Sequence, residues 1–186
     1  MEALLVSTGF VALAEMGDKT QLLSFLLAAR YRRPWTICAG ILLATAANHA
    51  MAGAVGAWIA DAVGEATMRW ILGASFLAMA GWILVPDRLD GPVGAAEGHG
   101  VLTATAIAFF LAEMGDKTQI ATVALAARYD AYVAVVCGTT VGMMLANVPA
   151  VLLGEKFAHR IPMKAARGVA AAIFGVLGVA VLAGFG

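Results

Sequence analysis

A seven-residue motif, Glu-Met-Gly-Asp-Lys-Thr-Gln, occurs twice in this chain, each time inside a long apolar stretch. The first copy begins at Glu15 and the second at Glu113, and residues 12–31 match residues 110–129 at 14 of 20 positions. A repeat of this strength predicts two structurally equivalent halves. Each half must also accommodate three charged side chains within apolar surroundings, which few folds allow.

The surroundings of the motifs are typical of a membrane protein. Hydrophobic residues make up 62% of the 186 residues and charged residues 13%, against roughly 45–50% and about 25% in globular proteins. A membrane-spanning helix takes about 20 mostly apolar residues. Six segments meet this length: 3–29, 34–60, 66–85, 101–127, 131–154 and 165–185. They predict an all-α membrane protein with six transmembrane helices.

The repeat divides the six segments into two groups of three. We predict a first three-helix repeat over residues 1–86, a cytoplasmic linker over 87–100 and a second repeat over 101–186, which together form one transport domain. Because three is an odd number, the second repeat enters the membrane from the opposite side and is inverted. Inverted repeats are common in secondary transporters, where the binding site lies near the midplane between them.

Lysine and arginine residues outside the segments predict the orientation, because cytoplasmic loops carry an excess of them. One side holds eight: Arg30, Arg32, Arg33, Arg88, Lys156, Arg160, Lys164 and Arg167. The other side holds Arg69 and Arg128. We therefore expect the first side to be cytoplasmic and both termini to lie outside the cytoplasm.

The charged residues of the motif are the strongest functional signal. Each charge at the centre of a membrane helix disfavours insertion by about 2.5–3.5 kcal/mol, and such residues are usually functional. On a continuous helix Glu15 and Asp18 share a face, and Lys19, four residues from Glu15, can pair with it. Glu113, Asp116 and Lys117 repeat this arrangement.

The motifs together offer many oxygen ligands and a net charge of −2, from four carboxylates and two lysines. Oxygen-rich sets suit Mg²⁺, Ca²⁺ or Mn²⁺. Several polar residues could be ligands or could form hydrogen bonds between helices, and the sequence leaves both roles open for them: Thr20, Gln21, Thr118, Gln119, Asn48 and Asn147. No phosphate-binding motif or basic surface points to a nucleotide cofactor or to nucleic acid, and no cofactor is expected.

A second face of each motif helix carries small residues, including Gly17 and Gly115. Small residues allow helices to approach closely. We therefore predict that the first and fourth segments pack together along a seam at these two glycines, with the carboxylates turned towards a shared cavity. The glycines are also expected to loosen the helix, which would expose backbone carbonyls as cation ligands.

The paired Glu-x-Gly-Asp-Lys-Thr motifs at Glu15 and Glu113 resemble the signature of a family of small six-helix cation/proton exchangers. That family includes the Golgi manganese and calcium transporters of eukaryotes and bacterial manganese exporters, and the resemblance covers the whole chain. It implies that the transported ion is bound by Glu15, Asp18, Glu113 and Asp116. It also implies Mn²⁺ or Ca²⁺ as substrate and protons as counter-ion.

Compared with the eukaryotic members, the chain lacks an additional N-terminal targeting segment and a long central loop. This difference favours a bacterial inner-membrane exporter and Mn²⁺ over Ca²⁺. A Ca²⁺/H⁺ exchanger and a divalent-cation channel remain the alternatives, and a channel would not respond to a pH gradient. An intramembrane enzyme would need only one pair of carboxylates, and a non-transporting scaffold would not explain so many buried charges. The expected partners are therefore a divalent ion, protons and lipid.

Overall fold

A computed structural model describes residues 1–63, 65–85, 100–153 and 163–184, and all regular structure within them is helical. The all-α part of the fold prediction is therefore confirmed for these residues. Most of the predicted linker, together with Lys156 and Arg160, lies outside them. The described helices are α1 (Glu2–Glu15), α2 (Lys19–Tyr31), α3 (Pro34–Ala62), α4 (Glu65–Ile83), α5 (Val101–Glu113), α6 (Lys117–Arg128), α7 (Tyr132–Leu153) and α8 (Met163–Leu182).

Within the described residues, each motif divides its predicted segment into two helices. The first segment consists of α1 and α2, separated at residues 16–18, and the fourth consists of α5 and α6, separated at residues 114–116. The predicted loosening at Gly17 and Gly115 is therefore confirmed as a complete break. A continuous helix through either motif is wrong.

The two halves interlock through their second helices. In the contacts between helices, α7 packs against α1 and α2, and α3 packs against α5 and α6. Glycines permit this close approach: a Cβ atom at Gly142 would lie 2.5 Å from the carbonyl oxygen of Thr8, and one at Gly56 would overlap the carbonyl oxygen of Val123. Each broken segment is thus held mainly by the second helix of the other half.

Gly142→Ala is expected to destabilise the protein by about 1–3 kcal/mol, the usual range for overpacking a tight contact. The added methyl group would press on the backbone of α1, which cannot move away as a flexible side chain would. Gly175→Ala is the matched control, since Gly175 is also helical and a Cβ atom there would have no neighbour within 4 Å. Thermal unfolding of the purified variants measures the difference, and equal midpoints would contradict the tight contact.

The third helices of the halves, α4 and α8, pack against each other at one side of this core. Of the two, α4 also contacts α6, and α8 also contacts α1. Phe10 of α1 joins them through its ring, whose centroid lies 5.5 Å from that of Phe76 and 3.7 Å from that of Phe174. The α4–α8 pair is therefore placed against α1 and α6.

The distribution of polarity is that of a protein surrounded by lipid. Large apolar side chains cover the outside of the helices, including Leu43, Trp58, Val133 and Val176. Among the described residues, the buried charged side chains all belong to the two motifs: Glu15, Asp18, Glu113, Asp116 and Lys117. By length and composition α3 and α7 are each able to cross a bilayer, while α5 and residues 167–182 of α8 are apolar but shorter.

Candidate metal site

Each break is a short turn with a glycine at its centre. Gly17 has a φ of 83° and Gly115 a φ of 76°, a backbone region that other residues enter only with strain. The following aspartates, Asp18 and Asp116, have an extended backbone and directly precede the next helices, α2 and α6. The turns therefore need glycine for their conformation.

The predicted role of Gly115 at a helix seam is wrong. Among the described residues, a Cβ atom at this position would meet no atom within 4 Å, so none of the described helices approaches it closely. The face that carries Gln21 and Ser24 packs against α7: the Gln21 amide donates to the carbonyl of Ala146 at 3.0 Å, and the Ser24 hydroxyl donates to Asn147 at 2.9 Å. The first and fourth segments are also in contact, α1 with α6 and α2 with α5.

Gly115→Ala is expected to destabilise the protein by about 1–2 kcal/mol, because a left-handed conformation disfavours any Cβ atom. The space around Gly115 is open, so the effect would come from the backbone alone. Gly100→Ala is the control, since a Cβ atom at Gly100 also has open space and the φ of this residue is −62°. Thermal unfolding measures both variants. An unchanged midpoint for Gly115→Ala would argue against the turn.

The glutamines of the motifs brace the two breaks. The side-chain oxygen of Gln21 accepts a hydrogen bond from the backbone N–H of Gly17 at 2.9 Å, and Gln119 does the same for Gly115 at 2.9 Å. The Gln119 amide also donates to Asn48 at 3.3 Å. Of the two roles left open by the sequence, the structure shows hydrogen bonding for the glutamines.

The asparagines of the second helices are also engaged in hydrogen bonds between and within helices. The Asn48 amide donates to the carbonyl of Phe110 in α5 at 3.1 Å. The Asn147 oxygen accepts from Ser24, and its amide donates to the carbonyl of Met143 at 3.1 Å. These contacts support the hydrogen-bonding alternative for Asn48 and Asn147.

The four motif carboxylates converge in the buried interior of the molecule. One oxygen from each of Glu15, Asp18, Glu113 and Asp116 lies within 4.8 Å of the other three. All four residues are at most 2% exposed. Oxygens at this separation can surround a single cation, because Ca²⁺ binds oxygen at 2.3–2.6 Å and Mg²⁺ at 2.0–2.1 Å.

The threonines of the motifs orient the glutamates. Thr20 donates to the Oε2 atom of Glu15 at 2.6 Å, and Thr118 donates to Oε2 of Glu113 at 2.8 Å. The Oε1 atoms of both glutamates are buried and have no hydrogen-bond partner within the part of the chain that the structure describes. The Oδ2 atom of Asp116 is likewise buried and has no hydrogen-bond partner among the described residues. Unsatisfied buried oxygens of this kind suit the coordination of an ion.

The lysines of the motifs form ion pairs across the two halves. The Lys117 ammonium group contacts Asp18, and the Lys19 ammonium group lies 3.4 Å from Asp116. The predicted pairing of Lys19 with Glu15 is therefore wrong. It assumed a continuous helix, whereas the break turns Lys19 away from its own glutamate and towards the other motif.

Arg167 is a contact of the site that sequence reasoning missed, since it counted this residue only as a topology signal. Its guanidinium group, on α8, donates to the backbone carbonyl of Gly17 in the first break. The signal that could have drawn attention to it is Arg69, which lies 98 residues earlier, the spacing of the motifs themselves.

Comparisons with known proteins agree with this geometry. The sequence profile of a family described as the divalent cation/proton antiporter GDT1 matches residues 3–91 and 101–185. A Vibrio cholerae protein named "Putative manganese exporter" is 52% identical over 181 residues, which cover 97% of this chain and 90% of that protein. A GDT1-like protein of Synechocystis is 30% identical over 173 residues, covering 83% of this chain and 84% of the relative. No solved structure matches the chain significantly.

Proposed function

Because the chain belongs to the GDT1 family of divalent cation/proton antiporters, we propose that it exports Mn²⁺ from the cell in exchange for protons. It is a membrane transport protein and not an enzyme. The observation that carries the proposal is the convergence of Glu15, Asp18, Glu113 and Asp116. The Vibrio cholerae relative, by its name, favours manganese as the substrate.

The charges at the site favour a divalent substrate. Four carboxylates with two lysines leave an excess of two negative charges, which one divalent cation neutralises. Two protons would neutralise the same excess when the ion is absent. Metal ions and protons therefore compete for one set of oxygens, because carboxylate ligands must be ionised to bind a metal.

This competition gives an exchange cycle that needs no nucleotide. With an inward proton gradient, protons that enter from outside displace the metal ion there. The protonated site then returns to the cytoplasmic side, releases its protons and binds another ion. The ion pairs Lys117–Asp18 and Lys19–Asp116 hold the aspartates in place.

Transport by purified protein in liposomes tests the proposal. Uptake of Mn²⁺, Ca²⁺, Mg²⁺ and Zn²⁺ is measured with and without a pH gradient. We expect Mn²⁺ flux to increase when the proton gradient drives protons in the opposite direction to the metal. The compartment that the metal leaves should become more acidic. Faster Ca²⁺ than Mn²⁺ flux would make the chain a Ca²⁺/H⁺ exchanger of the same architecture. Flux that ignores the pH gradient would indicate a channel.

The proposed membrane arrangement is six crossings in two inverted repeats, in a bacterial inner membrane with both termini outside the cytoplasm. The excess of lysine and arginine on one side, eight against two, supports this orientation. A reporter that is active only in the periplasm should work when fused after Gly186 and fail when fused after Arg33. The reverse pattern would overturn the orientation, and ends on opposite sides would exclude six crossings.

A further inference from the structure

Two arginines occupy equivalent positions on the third helices of the two halves. Arg69 and Arg167 are 98 residues apart, as are Phe76 and Phe174 in the same helices, and this is also the offset of the motifs. The helices themselves begin at the same offset, α4 at Glu65 and α8 at Met163. If the two halves are equivalent, Arg69 should be able to make the same contact with the second motif that Arg167 makes with the first.

The two arginines nevertheless have different environments. Arg167 donates to the carbonyl of Gly17, beside the four carboxylates. Arg69 is exposed, lies over the ring of Trp70 at 5.9 Å, and has a guanidinium nitrogen 3.6 Å from the Cβ position of Gly184. Gly184 follows Arg167 by 17 residues, which corresponds to roughly 25 Å along α8. Arg69 is therefore at the opposite end of the helix pair from the site.

The contacts of the whole helix pair show the same asymmetry. In the structure α8 contacts α1 and α4 contacts α6. If the two halves exchanged their arrangements, the equivalent contacts would be α4 with α5, in place of α8 with α1, and α8 with α2, in place of α4 with α6. The backbone at Gly115 has room for such an approach, since a Cβ atom there would have no neighbour within 4 Å.

We propose that Arg167 and Arg69 are positioning residues that dock in turn on the carbonyls of Gly17 and Gly115, one in each access state of the exchanger. In the second state the α4–α8 pair contacts α2 and α5. This inference rests on the proposed exchange function, because a carrier must expose one site to both sides in turn. When two related halves adopt different conformations, a second state is available in which each half adopts the conformation of the other.

A guanidinium group is well suited to this role. It remains charged at all physiological pH values and presents several donors in a fixed plane. It can therefore hold a carbonyl oxygen firmly and leave again without a proton transfer. Loss of one such charge-assisted hydrogen bond should change the ratio of the two states by about tenfold or more.

Disulfide crosslinking of two cysteine pairs measures this ratio. Both pairs are built in a Cys38→Ala, Cys137→Ala background of the full chain in membranes. The pair at positions 10 and 174 replaces phenylalanines in contact, and reports the present arrangement. Its symmetry equivalent, at positions 108 and 76, reports the exchanged one. Arg167→Gln should lower the 10/174 yield relative to 76/108 about tenfold, and Arg69→Gln should change the ratio in the opposite direction.

Controls separate docking from general damage. Arg128→Gln removes an exposed arginine that lies over the ring of Tyr129 at 5.5 Å, and it should leave the ratio unchanged. If Arg167→Gln does not fold, Arg69→Gln still tests the proposal, because this variant must lower the crosslinking yield of the 76/108 pair. Equal shifts in one direction, or no shift in either variant, would overturn the proposal. The crosslinks form without metal, so a failure of Mn²⁺/H⁺ exchange in liposomes would be a separate result.

Discussion

Glu15→Gln is expected to abolish Mn²⁺ transport while the protein still folds. The substitution removes the charge of one of four converging carboxylates, and Thr20 can still donate to the remaining carbonyl oxygen of the side chain. Because a direct ligand is lost, the reduction should exceed the ~10–100-fold typical of groups that only support a ligand. Metal tolerance of cells and uptake in liposomes measure the loss.

The symmetry of the site extends this expectation to Asp18, Glu113 and Asp116, which should behave alike when their charges are removed. Glu2→Gln is the matched control, since Glu2 is an exposed carboxylate at the other end of the same helix, α1. Full transport after one whole motif has been neutralised would exclude a shared site. Two separate sites, one in each half, would then be the better interpretation.

The affinity for Mn²⁺ is expected to fall steeply as the pH decreases, and binding should release protons. Each proton displaced by the metal adds about tenfold per pH unit to the dependence of the affinity on pH. Titration of the purified protein at several pH values, in weakly buffered solution, measures both quantities. The coupled carboxylates titrate as a set, so the curve belongs to the site and not to one residue.

Asp116→Asn should flatten this dependence, because it removes one of the four carboxylates for which the metal ion and protons compete. Glu2→Gln again serves as control and should leave the slope as it is. Affinity that is independent of pH, with no proton release, would remove the basis for exchange. A uniporter or channel would then describe the protein better.

The sequence predicted the loosened helices at the two motifs because the decisive information was local and duplicated. Two identical motifs inside apolar segments predicted helix breaks at Gly17 and Gly115, and the breaks are present. The prediction that like positions meet at the centre also agrees with the short distances among the four carboxylates. The prediction of the breaks did not require knowledge of which helices are neighbours.

What failed depended on long-range packing or on the direction of the chain after a break. The pairing of Lys19 with Glu15 used the geometry of an unbroken helix, but the turn brings Lys19 to Asp116 instead. The first and fourth segments do touch, as the seam prediction expected, but each has its largest contacts with the second helix of the other half. Small residues indicate close packing without identifying the main neighbouring helix. Arg167 was missed for a related reason, since its target, Gly17, is 150 residues away in the chain.

The interlocked packing has a consequence for how the protein is made. The main partner of α1 is α7, which begins at Tyr132, more than 100 residues after α1 ends at Glu15. The ribosome therefore delivers the first motif to the membrane long before the helix that covers it exists. Until α7 arrives, the buried charges of the first motif depend on the insertion machinery or on water for solvation.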